Sequence, residues 1–242
     1  MTTKTVVRTT ASYLAGGAAL AALSYAAWAG AEWMRYGHAA RARHPEDEDA
    51  ILDRVMPLYD MVERHHVRVA APPEVTLAAA HDMDLRDSRL VRAIFRGREL
   101  MVGAAPPQAE PPRGLVASVL AIGWGVLENQ PDHEIVLGAV TKPWEPNPVF
   151  RDLRPGEFAP FAEPDYVKIA WTLRVDPADG GGCVFRTETR AMATDIDART
   201  KFRRYWAMVS PGVAVIRCAL TAAVKQEAER RVAPPVPVAL PA

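Results

Sequence analysis

Two cysteines, Cys183 and Cys218, are too few for a disulfide framework, and their spacing matches no metal-ligand pattern. They read as two buried free thiols, although a strand and a helix that carry them can approach each other. Charge of one sign is not in excess either. Lysine plus arginine number 29, and aspartate plus glutamate number 29, so nothing points to a nucleic-acid partner. H-E-x-x-H, C-x-x-C and G-x-S-x-G are all missing from the chain. Gly123-Trp124-Gly125 is too short for a dinucleotide fingerprint, which also needs a following helix. Among the six histidines, His65 and His66 are neighbours on a strand-like run and point to opposite faces. No metal, no cofactor and no catalytic motif is expected on these grounds.

Apolar residues are plentiful, at 49%, enough for a sizeable core. The longest uncharged run is 11–31, twenty-one residues and about the length of a bilayer core. Trp28, Trp33 and Tyr36 stand near its end, where interfacial aromatics belong. The reading is a single membrane anchor over 1–34, with orientation left open because Lys4 and Arg8 oppose Arg35, Arg41 and Arg43. Two alternatives stand beside it. Ala27-Trp28-Ala29 fits a signal-peptide site, which would make the mature protein secreted or periplasmic. The run is also rich in alanine, as a soluble helix would be.

A polar linker with a short helix follows over 35–59, and a strand over 63–70 alternates His65, Val67 and Val69 against His66, Arg68 and Ala70. Pro72-Pro73 opens a helix to about His81, and Asp87 or Ser88 caps another to about Met101. The stretch 104–112, with four prolines, reads as a surface loop. Strands are expected over 122–129 and 134–141, then an irregular stretch over 143–164 anchored by Phe150, Phe158 and Phe161.

The clearest hairpin comes next. Val167, Ile169, Trp171, Leu173 and Val175 alternate with polar partners, and the glycine-rich turn at 176–182 supplies positive φ. If Val175 faces Cys183, the returning strand turns Phe185, Thr187, Thr189 and Ala191 inward. Arg186, Glu188 and Arg190 then face water, with Glu188 in diagonal reach of Lys168. A long helix over 194–231 lines up Phe202, Trp206, Val209, Val213, Ile216, Leu220 and Val224 on one face. Arg199, Lys201, Arg203, Arg204 and Arg217 fall on the watery side, and Pro211 predicts a kink. The tail 232–242 is proline-rich and reads as disordered.

Three pieces, HHVRVAAPPEVTLAAA at 65–80, GWGVLENQPDHEIVLGAVTKPW at 123–144 and VFRTETRAMATDIDARTKFRRYWAMVSPGVAVIR at 184–217, resemble the SRPBCC superfamily. These are the START-like proteins that include polyketide cyclases and lipid-transfer domains, and the resemblance spans about 60–231. It implies an α+β helix-grip fold, a curved antiparallel sheet wrapped around a long C-terminal helix. It also implies an apolar cavity that often holds a hydrophobic ligand. Candidate cavity residues are His65, Val67, Trp124, Ile169, Trp171, Leu173, Phe185, Thr187, Thr189, Phe202, Trp206, Val209 and Val213, with Trp171 and Trp206 as opposed walls. The expected function is binding of a hydrophobic or amphipathic small molecule at a membrane. One alternative is a cyclase or dehydratase-like enzyme; His65 reads first as a satisfied, partly buried histidine and only second as a general base, and no catalytic residue is assigned. The other is a membrane-associated scaffold with a filled core.

Overall fold

A computed structural model describes residues 3–38, 47–104 and 112–233. Most of the expected loop at 104–112, the middle of the linker and the proline-rich tail therefore lie outside the described residues. The fold is α+β. Five antiparallel strands, β1 (Met61–Val69), β2 (Gly125–Gln130), β3 (Glu134–Thr141), β4 (Val167–Pro177) and β5 (Cys183–Ala193), form one sheet in the order β1-β5-β4-β3-β2. Helices α1 (Thr3–Arg35), α2 (Ala50–Val55), α3 (Pro73–Asp82), α4 (Arg89–Val102), α5 (Leu115–Ala121), α6 (Pro155–Phe158) and α7 (Ile196–Val232) surround it.

Local chemistry accounts for most of these elements. Ser88 caps α4 by accepting from the Val91 N–H at 3.3 Å, and Gly103 ends it in the left-handed conformation. Asp195 caps α7 through the Ala198 N–H at 2.8 Å. The β4–β5 turn uses Gly180 and Gly181 at φ of 82° and 80°. Val175 pairs with Phe185 rather than Cys183. That register differs from the expected one by two residues, which leaves every side chain on its expected face because alternation has period two. Helix α5 was not anticipated: seven residues give too little period to see, and β2 starts at Gly125 rather than 122 as a result.

The inner face of the sheet packs on α7, α3 and α5 through Leu137, Leu173, Phe185, Leu77, Leu115 and Leu220. A second inner cluster lies at the other end of α7, where Phe202 and Trp206 meet Met61, Val167 and Ala191. The outer face is covered as well. Ile51, Leu52 and Met56 from α2 and its C-cap, with Phe158 from α6, close over Leu127, Val136, Val140 and Ala170.

That cover overturns the expected solvated outer face. Arg190 is only 2% exposed, held by Glu188 at 2.6 Å and Asp53 at 2.6 Å and stacked over Tyr59. Glu188 reaches Arg64 at 2.8 Å rather than Lys168, whose ammonium donates to the Ala159 carbonyl at 2.8 Å. Alternation placed these charges on the outer side correctly; it carried no sign that a short helix lies over them.

Helix α7 runs unbroken through Pro211. Gly212 admits α4, since a Cβ there would stand 2.9 Å from Ile94 Cγ2. The buried stripe includes Phe202, Trp206, Ser210, Ala214, Leu220, Thr221, Val224 and Ala228, with Val209, Val213 and Ile216 only half-buried. The true period of 3.6 drifts from a three-and-four count over so many turns.

Among the described residues, helix α1 meets the domain through its C-terminal part. Tyr36 meets the Phe202 ring edge-on, Trp206 Nε1 donates to Glu32 at 3.2 Å, and Tyr25 OH donates to the Met208 carbonyl. Tyr36 is thus buried in protein rather than placed as an interfacial aromatic. Residues 16–28 are exposed throughout. By length and composition, Ile196–Val232 is a helix that could cross a membrane, yet it is also the helix on which the sheet packs.

Candidate functional site

Between the two inner apolar clusters runs a polar row. Strand pairing sets Glu63 opposite Thr189 and His65 opposite Thr187, and Thr189 in turn opposite Trp171. All five side chains therefore share the face toward α7. Trp171 Nε1 donates to Thr187 Oγ1 at 2.6 Å, and His65 Nε2 lies 3.2 Å from Glu63 Oε2. Cys218 Sγ stands 4.0 Å from His65 Nδ1 at the exposed rim.

Arg217 descends from α7 onto this row. Its Nη2 donates to Thr189 Oγ1 at 2.8 Å, and its guanidinium lies over the Trp171 ring at 4.4 Å. Its Nε is buried without a partner among the described residues. Burial lowers its pKa to about 10, and the nearby Glu63 charge opposes that shift. The arginine stays charged at neutral pH, in a place where charge is expensive. Ser210, two turns earlier on the same face, also buries its hydroxyl without a partner among the described residues.

Arg217 corrects the sequence reading, which assigned it to water because charge on a helix usually lies outside. The signal that could have found it is the pair of small residues Ser210 and Ala214, two turns and one turn ahead, which leaves space for a long side chain. Glu63 was equally findable, because it shares parity with His65 and Val67.

The structure divides the thirteen candidate cavity residues between two neighbourhoods. Val67, Trp124, Trp171, Leu173 and Phe185 belong to the cluster at one end, beside His65, Thr187 and Thr189. Ile169, Phe202, Trp206, Val209 and Val213 belong to the cluster at the other. Trp171 packs edge-on against Trp124 with centroids 6.4 Å apart, whereas Trp206 lies beside Phe202 and reaches α1. The two tryptophans do not face each other across one space. Cys183 is a buried thiol that donates to Thr76 Oγ1 at 3.2 Å, while Cys218 is exposed instead of buried.

A hollow of about 20 Å³, room for about one water, is lined by charged outer-face residues such as Asp49, Arg64, Arg174 and Arg186, together with His65 and Thr187. Another, about 320 Å³ and open to solvent, lies between α3 and α5 beside His81, Asp82 and Arg113. Among the described residues no group of three His, Cys, Asp or Glu side chains is placed to hold a metal.

No protein-family model and no curated protein matches the chain. Among solved structures, a hypothetical protein from Helicobacter pylori is similar at 9% identity and a TM-score of 0.39, covering 78% of this chain and 99% of that one. The Zhui aromatase/cyclase from Streptomyces sp. R1128 is similar at 18% identity and a TM-score of 0.27, covering 71% and 95%. CalU16 from Micromonospora echinospora is similar at 13% identity and a TM-score of 0.25, covering 70% and 84%. Likenesses this slight carry no functional argument.

Proposed function

We propose that the protein binds an amphipathic small molecule on the inner face of its sheet, beside a membrane reached through residues 11–31. The observation that carries this reading is Arg217, a half-buried guanidinium with a threonine and a tryptophan for company and a buried Nε–H that has no partner among the described residues. A partly buried charge with no carboxylate in salt-bridge range among the described residues is costly to keep, and an incoming anionic or strongly polar head group repays that cost. Apolar clusters on both sides of the row would take the body of the molecule. Entry requires β1, an edge strand of the sheet, to part from α7 beside His65 and Cys218.

A second reading is favoured by the packing itself. Trp171, Leu173 and Phe185 are fully or almost fully buried against one another and α7, as in a scaffold with a filled core. Full-length protein extracted in mild detergent and examined by native mass spectrometry separates the two. A co-purifying amphiphile, or binding of a fluorescent fatty acid that Arg217→Met weakens tenfold or more, supports the ligand reading. Absence of both a co-purifying molecule and probe binding establishes the scaffold.

A further inference from the structure

Helix α4 has an outward side that its seat in the fold leaves bare. It docks on α7 through Ile94, which lies against Gly212, and Arg98, which donates to Tyr205 OH at 3.1 Å, while Val91 is fully buried. These positions, three and four apart, use one face. Leu90 and Met101 border that face on one side and Phe95 on the other, and Leu100 lies opposite it, exposed by 55%, 51%, 46% and 81%. At 3.6 residues per turn, Leu90 and Met101 sit on one flank with Ala93 and Gly97, while Arg89, Arg92 and Arg96 sit on the other and Leu100 lies where the two meet. The helix carries four arginines against one acid, Glu99, in a chain whose charges otherwise balance. Arg89, Arg92 and Arg96 form no salt bridge among the described residues, although Arg92 donates to the Arg86 carbonyl.

A flat apolar flank edged by unpaired arginines has the chemistry of a helix lying in the head-group layer, with apolar side chains down and guanidiniums level with phosphates. We infer that α4 lies on an anionic bilayer surface, making a membrane contact of its own besides any that α1 makes. The fold supports the geometry. Both α1 and α4 rest on the first half of α7, by way of Arg203 and Trp206 on one side and Tyr205 and Gly212 on the other. Met208 and Val215, seven apart on α7 and so on one face, are exposed as well. An anionic surface is the occupant chosen because arginine, without matching acids, selects phosphate or carboxylate at about 1 kcal/mol per residue near such a surface.

The inference rests on membrane proximity but not on α1 as the anchor, and the test keeps the two apart. Full-length C218S/L100C, labelled at position 100 with the polarity-sensitive dye NBD, is mixed with phosphatidylcholine vesicles with and without phosphatidylglycerol. Expected is a blue-shifted rise of roughly threefold or more with the anionic vesicles, reversed by salt and absent from a label in the exposed turn at Asp179→Cys. Replacing Arg89, Arg92 and Arg96 by glutamine lowers anionic-vesicle affinity by roughly fivefold per arginine removed. A dark position 100 on protein that floats with both vesicle types leaves α1 as an anchor and overturns the inference for α4. A bright position 100 on protein that salt strips from the vesicles supports α4 and counts against the anchor. Protein that binds neither vesicle, as a protein-docking face would give, defeats both.

Discussion

Each face of the sheet carries an arginine, fully buried on the outer side and half-buried on the inner, and the two are treated differently. On the outer face Arg190 has carboxylates at 2.6 Å on two sides, the Met56 carbonyl at 2.9 Å and the Tyr59 ring above it. On the inner face Arg217 has one hydroxyl, one ring and a bare Nε. A guanidinium with its fork filled is an internal cross-link, fastening α2 to the sheet. One left short of partners has donor capacity in hand, and a polar ligand is what such capacity serves. The contrast separates a structural ion network from a candidate binding group without reference to any relative.

Breaking the outer network should have the largest effect. Glu188→Ala strips Arg190 and Arg64 of their shared carboxylate while Arg190 remains enclosed. Removing one partner of a buried pair destabilises by about 3–5 kcal/mol, because the other charge is left uncompensated. Urea unfolding followed by circular dichroism measures it; a loss under about 1 kcal/mol would mean that water already reaches Arg190.

Trp171→Ala comes next, with a loss of about 3 kcal/mol or more. The indole fills space beside Trp124, donates to Thr187 and supports Arg217. In a grip already open around the ring the loss would be smaller, since fewer contacts disappear. The same unfolding assay, with a hydrophobic dye added to the parent protein, reads both stability and the presence of space.

The outer face also carries a pH signature. Burial, with Asp49 alongside, raises the Glu134 carboxyl to about 9, so it is held neutral at physiological pH. A folded pKa above the unfolded one means that folding takes up a proton. Stability from this group is therefore full below about pH 4.5 and falls as pH rises toward about 9. Glu134→Gln, an uncharged amide of similar shape, should flatten the decline between those limits. A thermal-melt series from pH 5 to 9 showing the same slope in both proteins would remove Glu134 from the account.

Much of the fold was legible because local chemistry and long-range packing agreed. The β4–β5 hairpin announced itself by alternation and a glycine turn, and α3 and α4 by their proline and serine starts. What stayed hidden depended on one element lying over another. Nothing in the order of residues says that α2 roofs Glu188 and Arg190, or that Arg217 turns inward. Both readings failed for one reason, the habit of assigning every charge to water. The candidate row was half legible: Thr187, Thr189, Trp171 and His65 emerged from alternation, while Arg217 needed the register of α7 against the sheet.

The smallest change in stability, and the sharpest test of the comparison, is expected for Arg217→Met. Methionine keeps the unbranched stem, fills an irregular gap and removes a charge that burial has pushed down to about 10. The change forfeits one hydrogen bond to Thr189 and a stacking contact over Trp171, and it relieves a desolvated guanidinium. Those effects oppose each other, so the net change should stay within about 1 kcal/mol and is as apt to stabilise as to weaken. Arg190→Met, made alongside, should lose several times as much, because it leaves Glu188 without its partner on that side and Asp53 unpaired. A pair of equal, large losses would make both arginines structural and end the case for Arg217 as a ligand group. A near-neutral Arg217→Met that nonetheless releases an amphiphile bound by the parent protein would show that the charge is kept for what it holds.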